Sequence, residues 1–289
     1  MPGTSKREEE KKSWDLVIKP KNSWFDLHLA DLWRYKDLIL LFVKRDFVAL
    51  YKQTILGPLW YIIQPLLSTV IFTVIFGRIA NIPTDGVPHF LFYLSGLVCW
   101  NYFADCLNGT SNTFIANSGI FGKVYFPRLA VPVSIVISNM IKFGFQITLF
   151  AAFYIYFFIE GSVAPPSFHI IYVPLLLLQM ALLGLGFGIL ISSLTTKYRD
   201  LTLLVGFGMQ LWMYATPVVY PISQVPERFR FLYHFNPMAA VVTNFRAMIM
   251  GIGSVDYYDT LISISIMTFM LLLGVVIFSR VEKSFMDTI

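Results

Sequence analysis

Long apolar stretches separated by short polar segments dominate the chain. A helix needs about 20 mostly apolar residues to cross the hydrocarbon core of a bilayer. Six stretches approach or exceed that length, and they fall near residues 58–79, 89–114, 131–158, 171–194, 202–221 and 258–279. The pattern therefore predicts an all-α membrane protein with six transmembrane helices.

A segment of mixed polarity precedes the first span. Residues 31–56 interleave apolar side chains such as Leu38 and Phe42 with basic ones such as Arg34 and Lys44. This pattern is typical of an N-terminal amphipathic helix that lies in the membrane interface. The glycine and proline that follow are a turn signal, which would direct the chain into the first span.

A second irregular segment lies between the fifth and sixth spans. Residues 216–256 are moderately apolar, but Pro217, Pro221, Pro226 and Pro237 interrupt them. Such a segment is too broken to span a bilayer as one helix. We expect re-entrant or short helices that enter the outer leaflet and return.

These patterns divide the chain into three parts. Residues 1–30 are highly charged and lack the apolar core of a signal peptide, so we expect a cytoplasmic N-terminal segment. The amphipathic interfacial helix occupies residues 31–56. Residues 57–289 form one transmembrane domain.

Composition and charge refine this topology. The chain is 56% hydrophobic with a net charge of +5, and its mean hydropathy is +0.66. Basic residues in the segments predicted to lie inside are those of the N-terminal segment together with Lys123, Arg128, Lys197, Arg199, Arg280 and Lys283. Those predicted to lie outside are Arg78, Arg228, Arg230 and Arg246. The cytoplasmic bias of Lys and Arg then predicts that both termini are cytoplasmic. It also explains the net charge without a nucleic-acid partner.

The sequence lacks the residues of an energy source or an enzyme. No phosphate-binding loop Gly-x-x-x-x-Gly-Lys-Ser/Thr occurs, so ATP hydrolysis would require another chain. Asp105 is the only acidic residue well inside a predicted span, which argues against a proton- or sodium-driven carrier. The four histidines are scattered, and none has the spacing of a metal site. We predict no catalytic residue, no metal and no cofactor bound by this chain itself.

Two predicted spans carry polar faces. Asn101, Asp105, Asn108 and Asn112 lie at helical spacing in the second span, and Asn139, Lys142 and Gln146 do so in the third. Polar stripes in a bilayer face either a neighbouring helix or a hydrated passage, and both interpretations remain open. Pairing between Lys142 and Asp105 would compensate both charges, although the sequence alone does not establish their contact.

A short cytoplasmic turn joins the second and third spans. It runs from Asn117 to Arg128 and combines aromatic with basic side chains: Phe121, Lys123, Tyr125, Phe126 and Arg128. Such an element either docks into a groove on a soluble partner or anchors the turn in the interface. The residues by themselves favour the anchor.

A series of short motifs resembles a known family. In order along the chain they are Leu32-Trp-Arg-Tyr-Lys-Asp-Leu38, Lys44-Arg-Asp46, Tyr51-Lys-Gln-Thr-Ile-Leu-Gly-Pro-Leu-Trp60, Gln64-Pro65, Gly96-Leu97 with Trp100, Lys123-Val-Tyr-Phe-Pro-Arg128, Tyr198-Arg-Asp200, Thr216-Pro-Val-Val-Tyr-Pro221 and Asn236-Pro-Met238. Each is weak alone, but the ordered series resembles the ABC-2 type permeases of bacterial polysaccharide export, the O-antigen, capsule and teichoic acid group. Leu50 departs from the basic residue that is common there.

The resemblance implies partners and a cargo. It implies a homodimer in the bacterial inner membrane, served by two copies of a separate ABC ATPase that binds ATP and Mg. The cargo would be a glycan linked through diphosphate to a polyprenyl lipid. The ATPase would dock on the cytoplasmic turn, through Phe121, Lys123, Tyr125, Phe126 and Arg128.

Site residues follow from this resemblance together with the residue types. Arg45, Tyr51 and Lys52 on the interfacial helix would form an entrance for the lipid diphosphate. Aromatic faces and amides would hold sugars weakly enough to let them slide. The expected conduit lining is Trp60, Tyr61, Trp100, Asn101, Tyr102, Asp105, Asn108, Lys142, Trp212 and Tyr214.

Three alternatives remain at this stage. An ABC-2 exporter of a small amphiphile or drug would share the architecture but carry a short cargo. A membrane glycosyltransferase would need acidic residues clustered at an accessible face, and the sequence has no such cluster. A secondary flippase would work without an ATPase. A neighbouring ATPase gene would separate the ABC exporters from the other two classes.

Overall fold

The computed structural model describes residues 29–52, 55–124, 126–198 and 200–285. Within these ranges the chain is helical and contains no strand, as predicted. The helices are α1 (Leu29–Arg34), α2 (Lys36–Lys52), α3 (Trp60–Phe72), α4 (His89–Ser111), α5 (Thr113–Ala116), α6 (Ser118–Phe121), α7 (Ala130–Ile159), α8 (Val173–Thr195), α9 (Leu201–Ala215), α10 (Glu227–His234), α11 (Pro237–Met250) and α12 (Tyr257–Phe285). Short 3-10 turns occupy Gly57–Leu59, Phe168–Tyr172 and Ile222–Gln224, and a π-helical segment, Thr73–Ile79, extends α3.

Five helical segments of the described chain are long and apolar enough to cross a membrane. They are Gly57–Ile79, His89–Ser111, Ala130–Ile159, Phe168–Thr195 and Tyr257–Glu282. These segments coincide with five of the six predicted spans. The chain is therefore a multi-pass membrane protein.

The fifth predicted span, 202–221, is shorter than expected. Its helix, α9, has 15 residues, or about 22 Å at 1.5 Å per residue, whereas the hydrocarbon core is about 30 Å thick. Thr216 has an extended backbone, which the following Pro217 favours by steric restriction. Proline chemistry thus ends the helix before it reaches the length of the other five segments.

The central helix of the subunit is α4. It packs against α3, α7, α8 and α11, and 78% of its span is buried inside the subunit, compared with 11% for the span that contains α3. These neighbours cover most of α4 and leave a half-exposed strip at Asn101, Asp105 and Asn108. Because most of the helix is covered by protein, its overall amphipathicity is weak. By contrast, α3 lies at the periphery and exposes Leu67 and Ile71.

Glycines on α8 let its neighbours approach closely. A Cβ added at Gly184 would lie 2.6 Å from Cβ of Cys106, and one at Gly188 would overlap Oγ1 of Thr110. On another side of α8, a Cβ at Gly186 would meet the backbone of α12 at 2.9 Å. These three glycines therefore serve close helix packing.

The amphipathic N-terminal segment forms α1 and α2. Helix α2 packs against α7 and buries Ile39, Phe42 and Val43. Its basic residues Lys44 and Arg45 are exposed. The segment therefore covers part of the transmembrane bundle with one face and presents positive charge on another. The predicted N-terminal part, 1–30, lies almost entirely outside the described residues.

The proline-rich segment between α9 and α12 forms two short helices, α10 and α11. Pro237 occupies the first turn of α11, where its missing N–H costs nothing, and the Asn236 side chain accepts from the N–H of Met238 at 3.2 Å. Gly251 ends α11 with φ +68°. Almost all of α11 is buried, because it packs between α4, α8 and α12. In contrast, α10 is largely exposed.

The glycine packing is testable with Gly188→Ala. The added methyl group would clash with Thr110 and with a backbone oxygen of α4, so we expect the free energy of unfolding to fall by about 1–3 kcal/mol. Thermal unfolding of the purified protein in detergent measures this. Gly206→Ala on α9 is the matched control, because nothing lies within 4 Å of its Cβ. Equal stability of the two variants would contradict the packing role.

Candidate functional site

A buried arginine joins three segments at the end of the bundle where α12 begins. Arg246 on α11 is 3% exposed. Its Nε donates to Ser95 Oγ at 3.1 Å, and its Nη2 donates to the carbonyl of Phe92 at 3.1 Å. Nη1 donates to the carbonyl of Pro217 at 2.6 Å, and Nη2 also reaches the carbonyl of Val218 at 2.7 Å. One guanidinium therefore ties α4, α11 and the turn after α9 together.

The surroundings of Arg246 are shaped for its side chain. The guanidinium carbon lies 3.6 Å from the centre of the Phe92 ring, which adds a cation–π contact. A Cβ at Gly96 would lie 2.6 Å from Nη2 and 2.9 Å from the Val218 carbonyl. Glycine at position 96 is thus required for the guanidinium to fit between α4 and the turn.

From the sequence alone, Arg246 is expected only as an exterior charge. One feature of the sequence does indicate a buried role: Arg246 is the single cation in the apolar residues 237–250. A charge in such a segment is costly unless other groups compensate it. The acceptors could not be foreseen, since three of the four are backbone carbonyls that carry no side-chain signature.

An ion pair connects two of the spans. Lys142 Nζ on α7 lies 2.7 Å from Asp105 Oδ2 on α4, and the two side chains are 20% and 32% exposed. The ring centre of Tyr61, on α3, lies 5.8 Å from Nζ. The structure therefore establishes the contact that the sequence left open. The pair lies at a half-exposed surface where α3, α4 and α7 meet.

The polar face of α4 continues on both sides of this pair. Asn101 is half-buried and Asn108 is exposed. Because these positions lie four residues before and three after Asp105, they share its helix face. This face can offer amide and charged groups to a polar molecule outside the subunit.

The aromatic residues expected to line a conduit fall into two groups. Trp100 is 4% exposed and Tyr102 is 2% exposed, and the Tyr102 ring packs 5.1 Å from Phe143. Trp212 is half-buried; its ring lies 6.3 Å from that of Trp100, and its Nε1 donates to Asn236 Oδ1 at 3.0 Å. These three rings pack inside the subunit.

The other aromatic candidates reach the surface. Trp60 is 47% exposed and Tyr214 is 48% exposed, while Tyr61 is half-buried with its ring 5.9 Å from that of Phe145. Trp60 and Tyr61 begin α3, whereas Tyr214 lies near the end of α9. The accessible candidates thus lie on α3 and α9, both of which are largely exposed in the isolated subunit.

The expected entrance residues lie at the end of α2. Arg45 is exposed and pairs with its neighbour Asp46, with Nη2 2.8 Å from Oδ1. Its guanidinium also lies 4.9 Å from the ring centre of Phe42. Lys52 is exposed, and the side chain of Tyr51 lies outside the described residues. The positive charge of Arg45 is therefore partly compensated within the helix.

The cytoplasmic turn packs much of its aromatic surface inward. Phe121 and Phe126 are 2% and 6% exposed, and their ring centres are 5.8 Å apart. Arg128 is also buried; its Nη1 donates to the carbonyl of Glu282 at 2.5 Å. Burial lowers the pKa of the Arg128 guanidinium, and the Glu282 carboxylate acts in the opposite direction. These residues hold the turn against α12.

A small apolar and basic surface remains on the same turn. Val124 is 59% exposed, Ile120 is 38% exposed, and Lys123 is exposed. Tyr125 lies outside the described residues. Of the predicted docking residues within the described ranges, only Lys123 is accessible to a partner.

The described ranges contain no group of three or more His, Cys, Asp or Glu side chains that could hold a metal ion.

Three features of the subunit are therefore candidates for function. They are the bundle end held by Arg246, the half-exposed polar face of α4, and the peripheral helices α3 and α9.

Comparison with known proteins identifies the family. The family described as "ABC-2 type transporter" matches residues 37–250. The chain belongs to the ABC-2 type transporter family. The resemblance inferred from the ordered motifs is thereby confirmed, and the family is that of the transmembrane permease subunits of ABC transporters.

Several individual relatives are similar in sequence to this protein over most of its length. An "O-antigen export system permease protein RfbA" of Klebsiella pneumoniae is 30% identical over 87% of this chain and 94% of its own length. A protein of the same name from Myxococcus xanthus is 25% identical over 76% of this chain and 83% of its own length. The "Polysialic acid transport protein KpsM" of Escherichia coli is 22% identical over 68% and 74%, respectively.

The arginine clamp is testable with Arg246→Lys. A lysine keeps the charge but donates from one point, so it cannot reach acceptors on both α4 and the turn. We expect the free energy of unfolding to fall by about 3 kcal/mol or more, because several buried carbonyls lose their donor. Thermal unfolding and limited proteolysis within 216–221 measure this. Arg228→Lys on the exposed α10 is the control, and comparable losses in the two variants would refute the clamp.

Proposed function

We propose that the chain is the permease subunit of an ATP-driven exporter that moves a polyprenyl-diphosphate-linked polysaccharide across the bacterial inner membrane. The observation that carries this proposal is the similarity to O-antigen export permeases along nearly the whole chain, at 30% identity over 87% of it. The permease relative named for polysialic acid transport supports a polysaccharide as the general cargo class. An ABC-2 exporter of a small amphiphile is the alternative that the experiment below must separate.

The working unit is a homodimer. Within the described residues, a single subunit has its packed centre at α4, whose span is 78% buried. Its peripheral helices α3 and α9 expose large apolar side chains, including Leu67, Leu204 and Phe207. Contact between copies through such helices would bury this surface and enclose a path between the subunits. With α9 counted as the fifth of six spans, the dimer has twelve.

The polar face of α4 contributes to the wall of this path. Asn101 and Asn108 supply amides, and the Asp105–Lys142 pair supplies charges that compensate each other. A wall of this kind forms many weak hydrogen bonds with sugar hydroxyls without a strong fixed site. The exposed rings Trp60 and Tyr214 add flat apolar surface. Weak, repeated contacts let a polymer slide.

The orientation follows from charge. Both termini lie in the cytoplasm, with α2 in the inner interface and α10 and α11 dipping into the outer leaflet. The exposed basic residues of α2 support the interfacial position. The buried, well-capped α11 supports a re-entrant segment, because its backbone is covered by protein.

Two copies of a separate ATPase drive the cycle and bind the ATP and Mg. Each docks on the cytoplasmic turn, where Ile120, Lys123 and Val124 are accessible. The inward-packed Phe121 and Arg128 transmit force from this surface to the bundle, because they contact α5 and α12. ATP-driven movement of the turn then shifts the spans that line the path.

The entrance lies on α2. Arg45 and Lys52 are seven residues apart, so both lie on one face of the helix. An arriving diphosphate competes with Asp46 for the Arg45 guanidinium and offers more negative charge than one carboxylate. Recognition at this point is an exchange of ion partners, which permits release as well as capture.

Deletion and complementation in the native host test the cargo and the entrance together. Loss of the gene should leave lipid-linked glycan inside the cell, and the wild-type chain should restore surface glycan. The Arg45→Gln/Lys52→Gln double variant should restore about tenfold less or none, because two phosphate contacts are lost. Surface glycan is measured by electrophoresis and labelling.

The control for this experiment is Lys44→Gln, which removes an exposed charge on a different face of α2. Full complementation by the double variant would reject the entrance. Normal surface glycan after deletion, with ATPase stimulation by small amphiphiles, would favour the drug exporter instead.

The docking surface is tested with Val124→Glu. A carboxylate on the exposed turn should prevent docking of the ATPase, because it places an unpaired charge in the contact. Co-purified ATPase should fall by about tenfold or more, while the thermal stability of the permease stays unchanged. By contrast, Phe121→Ala removes a buried ring and should lower the free energy of unfolding of the isolated permease by about 3 kcal/mol. Undiminished ATPase binding by Val124→Glu would exclude this surface.

A further inference from the structure

A cavity lies at the end of the bundle that Arg246 clamps. It measures about 760 Å³, within the range of roughly 300–1,000 Å³ typical of ligand sites. Its wall combines the turn that follows the first span, residues 80–83, with Tyr220 after α9 and with one side of α10. It is distinct from the entrance on α2 and from the polar face of α4.

The wall of this cavity is held in place by its own hydrogen bonds. Ser223 donates to Asp85 at 2.9 Å and so ties the turn after the first span to the segment before α10. The hydroxyls of Tyr220 and Tyr233 lie 2.6 Å apart. Asn236 accepts from Trp212 and donates to Thr216 Oγ1 at 3.0 Å. The cavity is therefore formed before any ligand arrives.

Backbone strain accompanies this cavity. Asn81, which lines it, has φ +49°, and Asp85 has φ +51°. Left-handed backbone costs energy for residues other than glycine and is kept where the surrounding structure requires it. The strain fixes the turn that presents Asn81 to the cavity.

The chemistry of the lining restricts the ligand. Within the described chain, no residue that lines the cavity is an Asp, Glu, Lys, Arg or His. The rings of Tyr220, Phe229 and Tyr233 supply aromatic surface. The exposed side-chain amides of Asn81 and Gln224 have no hydrogen-bond partner among the residues that the structure describes. Flat apolar faces beside free amides suit an uncharged ligand that has both C–H faces and hydroxyls.

We propose that this cavity binds neutral sugar residues of the glycan as it reaches the far end of the path. The proposal rests on the proposed function. It adds a binding site for neutral sugars that is separate from the diphosphate entrance on α2. Sugar C–H faces pack on the aromatic rings, and hydroxyls bond to the amides of Asn81 and Gln224. Because no charged side chain lines the cavity, an acidic glycan is disfavoured. Its carboxylates would lose their hydrating water without gaining a cationic partner.

Saturation-transfer NMR of the full-length protein in phospholipid nanodiscs tests the cavity. The probes are mannohexaose and maltohexaose as neutral oligosaccharides, a sialic acid hexamer as the acidic one, and decanol as an apolar chain. Nanodiscs avoid detergents with sugar head groups. At least one neutral oligosaccharide should give a saturable signal, whereas the sialic acid hexamer should give none.

Two phenylalanines on α10 make a matched pair of variants. Phe229 lines the cavity and is 44% exposed, whereas Phe231 is 63% exposed and does not line it. Phe229→Ala should weaken the neutral-sugar signal by about three- to tenfold, the range for one aromatic contact. Phe231→Ala should leave it unchanged.

Three results would overturn the proposal. They are no signal from either neutral oligosaccharide, equal weakening by the two variants, or decanol displacing the sugar signal as the tighter ligand. Glycan export is scored separately by complementation, so a chain that exports glycan but binds no neutral sugar here refutes the cavity alone. A chain that binds sugar here but leaves surface glycan normal on deletion refutes the proposed function instead.

Discussion

At the end of the bundle where α12 begins, the packing of α4, α11 and the turn after α9 depends on one buried guanidinium. Within the described structure Arg246 donates only to neutral acceptors, through four hydrogen bonds. A buried charge of this kind is costly unless its N–H groups are hydrogen-bonded. This cost fixes the positions of the acceptors on α4 and in the turn after α9. It also explains Gly96, since any side chain there would displace the guanidinium. The segment after α9 that Arg246 holds at Pro217 and Val218 leads directly to Tyr220, which lines the cavity.

The two ends of α9 are held very differently. Near its last turn, Trp212 packs among rings of α4 and α8 and donates to Asn236. Near its first turns, Leu203 and Leu204 are 81% and 61% exposed, and nothing lies within 4 Å of a Cβ at Gly206. One end of the helix is thus part of the rigid frame, and the other offers its surface to lipid or, in the proposed dimer, to the second copy.

The second charged site in the bundle is an ion pair, unlike the isolated charge of Arg246. Asp105 and Lys142 lie on different helices and compensate each other at a half-exposed surface of the subunit. A pair in this position costs less than a fully buried one and leaves hydrogen-bonding capacity for other molecules. In the proposed conduit it gives a polar wall without a strong net charge, which suits a cargo that must not be held tightly.

The sequence by itself determined the helical class, five of the spans and the family, because hydrophobic length and ordered motifs are local signals. The predicted span overestimated the length of α9. The helix ends at Ala215 because Pro217 favours an extended backbone at Thr216, although the residues that follow are still apolar. Tertiary structure decided which aromatic side chains are covered. Periodicity assigns Trp100 and Phe121 to a helix face, but only the packed neighbours determine whether that face meets protein, lipid or a cargo.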